Sequence, residues 1–347
     1  MSIDALRGFN MMFIMGAAAF FIALAKLCPN TITNAIAGQM THVSWDGFRH
    51  HDMIFPLFLF LAGVSFPFSL AKQKEKGKST FSIYRKIFIR MILLIIFGIA
   101  VGNTIKFDFA NMRYASVLGH IGIAWAIAAV IYMNTRFVTR VLLSVFILIG
   151  YWFLLALVPA PDVNKAECFT HEAYVQRAYH LLSPDEQIKK NLTMEGCIVG
   201  YVDRTCLPGR LYKKIHDPEG ILSVIPAIIT ALLGTMAGGL LRRDPKLTSP
   251  NVKTLILLFA GAILIAIGYY WNFVFPINKN LWSSSFVCFV GGISMMALGV
   301  FYYIIDVLRL RMWAFFFVVI GVNSITIYIA QRIIGFDHAR KFIFDGM

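Results

Sequence analysis

The chain has 347 residues, of which 58% are apolar and only 14% charged, against roughly 25% charged in an ordinary soluble domain. That composition excludes a water-soluble globular protein. Repeated apolar runs of about twenty residues, each able to cross a ~30 Å hydrocarbon layer at 1.5 Å per residue, instead place a single all-α polytopic domain, residues 1–347, in a lipid bilayer. The formal net charge of +14 would suggest nucleic acid in a soluble protein. Here the clearest basic block, residues 72–90, lies between two apolar runs and reads as an orientation signal, so no nucleic-acid partner is expected.

In chain order, residues 1–7 are too weakly basic and residues 9–27 too long an apolar run for a cleaved leader. Segment 9–27 is therefore the first of nine predicted membrane helices, followed by 53–71, 88–105, 115–133, 139–158, 221–241, 253–273, 283–305 and 313–334. The lysines and arginines of 72–90 set the loop after the second helix, and with it the N-terminus, in the cytoplasm. By alternation Arg136 and Arg140, then Arg242, Arg243, Lys246 and Lys253, then Arg309 and Arg311 fall on the same side. Segments 28–52, 106–114, 159–220 and 274–282 fall outside. The tail 335–347, with Phe342 and Phe344, predicts the start of a tenth helix.

The long outer segment 159–220 predicts short helices over 172–182 and 184–191. It holds Cys168, Cys197 and Cys206 in what the topology makes an oxidising compartment, so one disulfide among these three is expected, its pairing unspecified. Cys28 and Cys288 are expected to be buried and unpaired. No zinc pattern such as CxxC or HExxH occurs, and no metal is expected.

A strongly polar side chain at a membrane helix centre costs about 2.5–3.5 kcal/mol, so the few that occur carry information. Asn323, Ser324 and Thr326 fall mid-span in the last predicted helix, Asn103 and Thr104 close the third, and His120 opens the fourth. Each also reads as an interhelical hydrogen bond worth about 1 kcal/mol. More polar chemistry gathers in the stretch from Thr41 to Asp52, which holds His42, Asp46, Arg49, His50, His51 and Asp52. Asp46-Gly47 predicts a turn, and Asp52 a helix N-cap ahead of Pro56. His42 has no such structural explanation. An imidazole takes and returns a proton near neutral pH, which suits acyl transfer. A zinc site from His42, His50 and His51 is disfavoured, because adjacent histidines make poor shared ligands without a Cys or Glu partner. Asp217 and Pro218 predict a helix start, leaving Glu219 unexplained. Trp282 reads as an interfacial anchor or part of a third polar cluster, and the Gly234-xxx-Gly238 pair predicts a close helix contact.

Taken together, Ser2-Ile3-Asp4-Ala5-Leu6-Arg7-Gly8, His42-Val43-Ser44-Trp45-Asp46-Gly47, Asp52-Met53-Ile54-Phe55-Pro56-Leu57-Phe58-Leu59-Phe60, Gly200-Tyr201-Val202-Asp203-Arg204, Asp217-Pro218-Glu219-Gly220, Pro276-Ile277-Asn278-Lys279-Asn280-Leu281-Trp282 and Gly321-Val322-Asn323-Ser324 resemble, in order, the heparan-α-glucosaminide N-acetyltransferase family. The resemblance implies transfer of acetyl from cytosolic acetyl-CoA, across a bacterial inner membrane, to the amine of a glucosamine-type sugar on the periplasmic side. It carries the catalytic role onto His42, with Asp52 beside it, either as an acetylated carrier or as a base in a complex of both substrates. Arg7, Lys72, Arg242 and Arg243 are then expected at the coenzyme phosphates, and Asn323 and Ser324 along the pantetheine passage. Arg113, Asp203, Glu219, Asn278 and Lys279 are expected at the sugar. A homodimer is implied by the resemblance alone. Two departures stand out: Ala18 occupies a position where the lysosomal relative has asparagine, and Val117-Leu118-Gly119-His120 replaces a frequent Gln-Arg pattern. The competing expectation is a sugar transporter or channel without covalent chemistry, although no inverted repeat is visible.

Overall fold

The computed structural model describes residues 1–102, 111–163 and 176–333. Its regular structure is helical, and the only β-type pairings among these residues are two isolated bridges, Arg113 with Gly209 and Pro159 with Cys197. Seven helices among the described residues are long and apolar enough to cross a membrane, and a bent pair near the end of the chain brings the number to eight if counted as one span. The described part of segment 88–105, one of the nine expected spans, falls in the 23-residue helix Thr80–Gly102, which also carries Arg85, Lys86 and Arg90, and those charges keep it outside this set. Asn103, Thr104 and the tail 335–347 lie outside the described residues.

Helix α1 (Ser2–Met12) runs through a π turn at Phe13–Ala17 into α2 (Ala18–Leu27). The break centres on Gly16, whose φ of +147° a side chain would resist. A short helix α3 (Thr31–Gln39), capped by Asn30, then lies in a stretch with no helical expectation. Helix α4 (His50–Glu75) carries Pro56 and Pro67 inside it, followed by α5 (Thr80–Gly102), α6 (Val117–Asn134) and α7 (Phe137–Leu157). The outer segment contains α8 (Pro184–Asn191), as expected, and α9 (Ile198–Cys206), which the sequence reading missed. Of the helix expected over 172–182, residues 172–175 lie outside the described set, residue 176 is helical, and a 3-10 turn follows at Tyr179–Leu181. Helices α10 (Val224–Leu241), α11 (Pro250–Trp271) and α12 (Ser284–Tyr302) follow. The expected last span is two pieces, α13 (Ala314–Val322) and α14 (Ser324–Ile333), bent by 69° at Asn323.

Helices α4 and α10 form the centre: 72% of the apolar stretch of each is buried, against 28% for α7 and α11, whose apolar faces point outward to where lipid would be. Their backbones can approach because a Cβ on Gly234 or Gly238 would lie 2.0 or 2.2 Å from a carbonyl oxygen of α4. The small-xxx-small pair is thus the close contact the sequence predicted. Gly8 and Gly321 do the same for the crossing of α1 with α13. Trp282 is 1% exposed and donates to Thr230 Oγ1. It is therefore a core residue and not an interfacial anchor.

Cys197 and Cys206 are both free, and the Cys197 thiol accepts from the Gly200 amide at the start of α9. Cys168 lies outside the described residues. Cys288 is buried and unpaired as expected, but Cys28 is exposed, because α2 ends there and the chain turns into α3.

Candidate functional site

Asp52 is the third residue of α4 and not its N-cap: its Oδ2 accepts from the Arg49 and Val43 amides, while its own amide donates to the Arg49 carbonyl. This reciprocal arrangement uses one carboxylate oxygen and leaves the other aimed at the loop before the helix. Oδ1 lies 2.6 Å from His42 Nδ1. Asp52 is 1% exposed and the His42 side chain 51% exposed, so a buried anion holds an open imidazole. Lys279 Nζ also approaches His42 Nδ1, at 3.2 Å, and Asp52 Oδ1 at 3.7 Å. One nitrogen cannot donate to a carboxylate and accept from an ammonium at once. The shorter contact to the buried anion decides: Nδ1 carries the proton and Nε2 is left as the basic atom.

The loop carrying His42 is pinned from several sides. Gly47, at a φ of +113°, donates its amide to the Ile277 carbonyl, and Asn278 Nδ2 donates to Asp46 Oδ1. The Trp45 indole donates to the Leu192 carbonyl, and Lys213 Nζ donates to the Ser44 carbonyl. The turn 46–47 predicted from sequence is thus what fixes the histidine's place.

Around this end stand Arg113 and Glu219. Arg113 makes a two-point contact with Asp217, at 2.8 and 2.6 Å, and a third with Glu219. Burial disfavours its charge, but Asp217 and Glu219 more than offset this and hold the guanidinium above its ordinary range. Burial raises the Glu219 carboxyl despite Arg113. Burial lowers the Lys279 ammonium below the usual lysine range, against the pull of Asp52 and Glu219. Asp217 does not start a helix: residues 217–220 form a turn, and α10 begins at Val224.

One cavity of about 1540 Å³ gathers much of this. At one end it is lined by His42, His51, Asp52, Arg113, Glu219 and Lys279, and at the other by Asp4, Arg7, Ser65 and Arg90. Asp52 and Ser65 lie thirteen residues apart on α4, which at 1.5 Å per residue makes the cavity roughly 20 Å long. Arg7 is held by Asp4 Oδ1 and Ser65 Oγ, each at 2.9 Å, and the Arg90 guanidinium carbon stands 4.3 Å from the Trp125 ring centroid. Ser324 and Thr326 line the wall of the cavity.

Other expected site residues are not brought together. Asn323 sits at the bend between α13 and α14, exposed, with Nδ2 on the Val319 carbonyl, because breaking the helix turns it away from the cavity that Ser324 lines. Lys72 lines a separate basic pocket of about 490 Å³ that shares only Arg90 with the large cavity. Arg242 and Arg243 are outside both cavities, and the Arg243 carbonyl is bound by Lys253 Nζ. Asp203, expected at the sugar, is 0% exposed and accepts from the Ile221 and Asp217 amides, where Gly220 leaves no room for a side chain. Burial pushes its carboxyl up to about 7. Asn278 is likewise buried, accepting from the Leu281 amide. Both residues build the site's frame and neither lines the cavity. Sequence reasoning counted Arg90 only as the last charge of the basic block 72–90 and did not place it at the cavity, and it left His51 without a role. Among the described residues no group of three His, Cys, Asp or Glu is placed to hold a metal.

No family model matches the chain. Among curated proteins it is 28% identical over 338 residues to heparan-alpha-glucosaminide N-acetyltransferase of Homo sapiens, covering 84% of this chain and 48% of that protein. It is 27% identical over 339 residues to the Mus musculus protein of the same name, covering 84% and 49%. The chain thus spans about half the length of the curated relatives it matches. At the level of family, these similarities bear out the resemblance carried by the motifs around His42, Asp52 and Lys279.

Proposed function

We propose that the protein is a transmembrane N-acetyltransferase that takes acetyl from acetyl-CoA on the cytoplasmic side of a bacterial inner membrane and delivers it to the amine of a glucosamine-type sugar on the periplasmic side. The observation that carries this reading is the single cavity with arginines at one end and the His42–Asp52 pair at the other. In this reading the N-terminus and the 72–90 loop face the cytoplasm and the His42 loop the periplasm, in keeping with the distribution of lysine and arginine. Acetyl-CoA supplies a thioester whose acetyl carbon is open to attack by an amine. Arg7 and Arg90 offer charge-assisted contacts to its phosphates, and Ser324 and Thr326 offer hydroxyls along the passage. His42 Nε2 removes a proton from the attacking amine and returns it to the departing sulfur, while Asp52 offsets the charge the imidazole gains. Lys279 supplies positive charge at the end where the acetyl oxygen becomes negative. If acetyl rests on the protein, the same Nε2 carries it, so one atom serves both routes.

The test uses the full chain in lipid vesicles, with labelled acetyl-CoA and glucosamine. Transfer is expected, and His42→Ala should abolish it while leaving the protein folded. A normal rate in that variant would remove His42 from the chemistry. Sugar flux indifferent to acetyl-CoA, with no acetylated product, would favour a transporter. Mass spectrometry with the acceptor withheld separates the routes: acetyl on His42 selects the carrier, and none during competent turnover selects direct transfer.

A further inference from the structure

We propose that the smaller basic cavity, of about 490 Å³, is a binding site for the phosphate headgroup of an anionic phospholipid. The inference goes beyond the acetyltransferase reading and stands on the membrane-embedded fold alone.

Three pieces of chain assemble the site. Lys72 and Lys76 lie four residues apart on one face of α4, and like charges at that spacing repel each other. Lys78 follows Gly77, whose φ of +66° turns the chain toward α5. Lys86 stands four residues before Arg90 on α5, so the two share a face of that helix. All five cations line the cavity and no carboxylate does, since Glu75, one residue before Lys76, stays outside it. None of the four lysine side chains has a hydrogen bond or an ion pair with a described residue. A cavity of this volume is roughly 10 Å across, about one screening length at physiological salt, so an anion inside it feels every one of these charges. Orienting a span in the membrane requires lysines in the connecting loop. It does not require that they close around one cavity.

The other wall identifies the occupant. Phe66 and Trp125 meet edge to face, with ring centroids 5.9 Å apart, beside Ile83 and Ile87. Inorganic phosphate gains nothing from such a wall, whereas a glycerophosphate joined to acyl chains presents charge and hydrocarbon side by side. Phe68 precedes Ser69 of the cavity and Phe88 follows Ile87, and both are exposed. The apolar surface therefore continues outward from the cavity to where acyl chains would lie. Lysine stems lie along such a surface while their ammonium groups reach the headgroups. With the 72–90 loop in the cytoplasm, as proposed above, the cavity faces the leaflet whose anionic lipids attract basic clusters of this kind. Arg90 is common to both cavities. It serves the coenzyme in the reading above, and the lysines hold the lipid phosphate.

The experiment titrates the detergent-purified full chain with short-chain phosphatidylglycerol, short-chain phosphatidylcholine, inorganic phosphate and coenzyme A, and reads affinity from the rise in melting temperature with concentration. Phosphatidylglycerol should stabilise the unaltered protein, and phosphatidylcholine or inorganic phosphate at the same concentration should not. Lys76→Gln/Lys86→Gln removes two charges of the cavity and should weaken phosphatidylglycerol by about 25-fold, at about fivefold per lysine. Lys74→Gln/Arg85→Gln removes two charges of the same stretch that do not line the cavity, and should weaken it by less than about threefold because salt screens them. Equal losses in the two double variants would mean a diffuse attraction to the basic stretch and overturn the proposal. Equal stabilisation by phosphatidylcholine or by inorganic phosphate would overturn it too. Coenzyme A separates the two sources of phosphate: a Lys76→Gln/Lys86→Gln protein that loses coenzyme affinity and keeps phosphatidylglycerol assigns the cavity to the coenzyme and excludes the lipid. The four substituted side chains are exposed, so both variants should fold, and Lys76→Gln alone, with an expected loss of about fivefold, replaces the first if it melts early. Acetyl transfer plays no part in this readout, so the proposal and the acetyltransferase reading fail separately.

Discussion

Asp52→Asn tests the logic of the site most directly, because it changes one atom's chemistry at nearly constant volume. The carboxylate lies 2.6 Å from His42 Nδ1 and is 1% exposed, so it acts on the imidazole with little water between them. When His42 takes a proton, the new charge faces this anion. At an effective dielectric of about 20, a unit pair at about 4 Å is worth roughly 4 kcal/mol, and each 1.36 kcal/mol is tenfold in rate. Because His42 is half exposed, part of that is screened, and the expected loss in kcat is about 10²–10³-fold. Asparagine can also present its NH₂ to Nδ1, which would move the ring proton to Nε2 and remove the base outright. The KM for acetyl-CoA should barely change, since Arg7 and Arg90 stand roughly 20 Å away along α4. The assay is acetyl transfer by the vesicle-embedded protein, with a melting curve as the folding control. A kcat within fivefold of the unaltered protein, with the fold intact, would refute the idea that Asp52 activates His42.

Three further outcomes follow from other parts of the molecule. Arg90→Ala should weaken coenzyme A binding by about 10–150-fold, the equivalent of a charge-assisted contact of roughly 1.5–3 kcal/mol. Calorimetry in detergent reads this directly, and unchanged affinity would detach Arg90 from the phosphates. Gly321→Ala should lower the melting temperature, since its Cβ would lie 1.8 Å from the Asp4 carbonyl oxygen and overpacking costs about 1–3 kcal/mol or more. A neutral effect would mean that the α1–α13 crossing is looser than described. Asp203, its carboxyl raised to about 7 by burial, keeps its proton in the folded state while the unfolded chain loses it near pH 4. Its contribution to stability therefore declines as pH rises from about 4 to 7 and is flat above that. The fall in melting temperature over this window should be smaller in Asp203→Asn, and an equal or larger fall would contradict the assigned burial effect.

Composition and patterning already fixed a helical membrane domain, because twenty-residue apolar runs have few other stable fates in water or lipid. Local signals also survived folding: the turn at Asp46-Gly47 and the short helix Pro184–Asn191 depend on neighbours within a few residues, and the four-residue spacing of Gly234 and Gly238 is local although the α4 backbone they meet is not. His42 stood out in the sequence because motif and chemistry pointed to it together, and the structure sets it on the cavity beside Asp52. Its partners were legible only as polar residues in suspicious places. Asp52 read as a helix cap, and it took the reciprocal contact with Arg49 to show that one of its oxygens was left over for His42.

What no single stretch of sequence could decide was which polar residues share a cavity. Asp203 and Asn278 have the composition of sugar ligands, yet they are spent holding backbone amides, because a buried carboxylate or amide must satisfy its hydrogen bonds before it can do anything else. Asn323 and Ser324 are neighbours in sequence, and a 69° bend sends one outward and the other into the cavity. Arg90 reads as one more cytoplasmic charge until α5 and α6 bring it beside Trp125 and to the cavity's edge. Residue type sets what a side chain can do, and the packing of helices far apart in the chain sets what it is free to do.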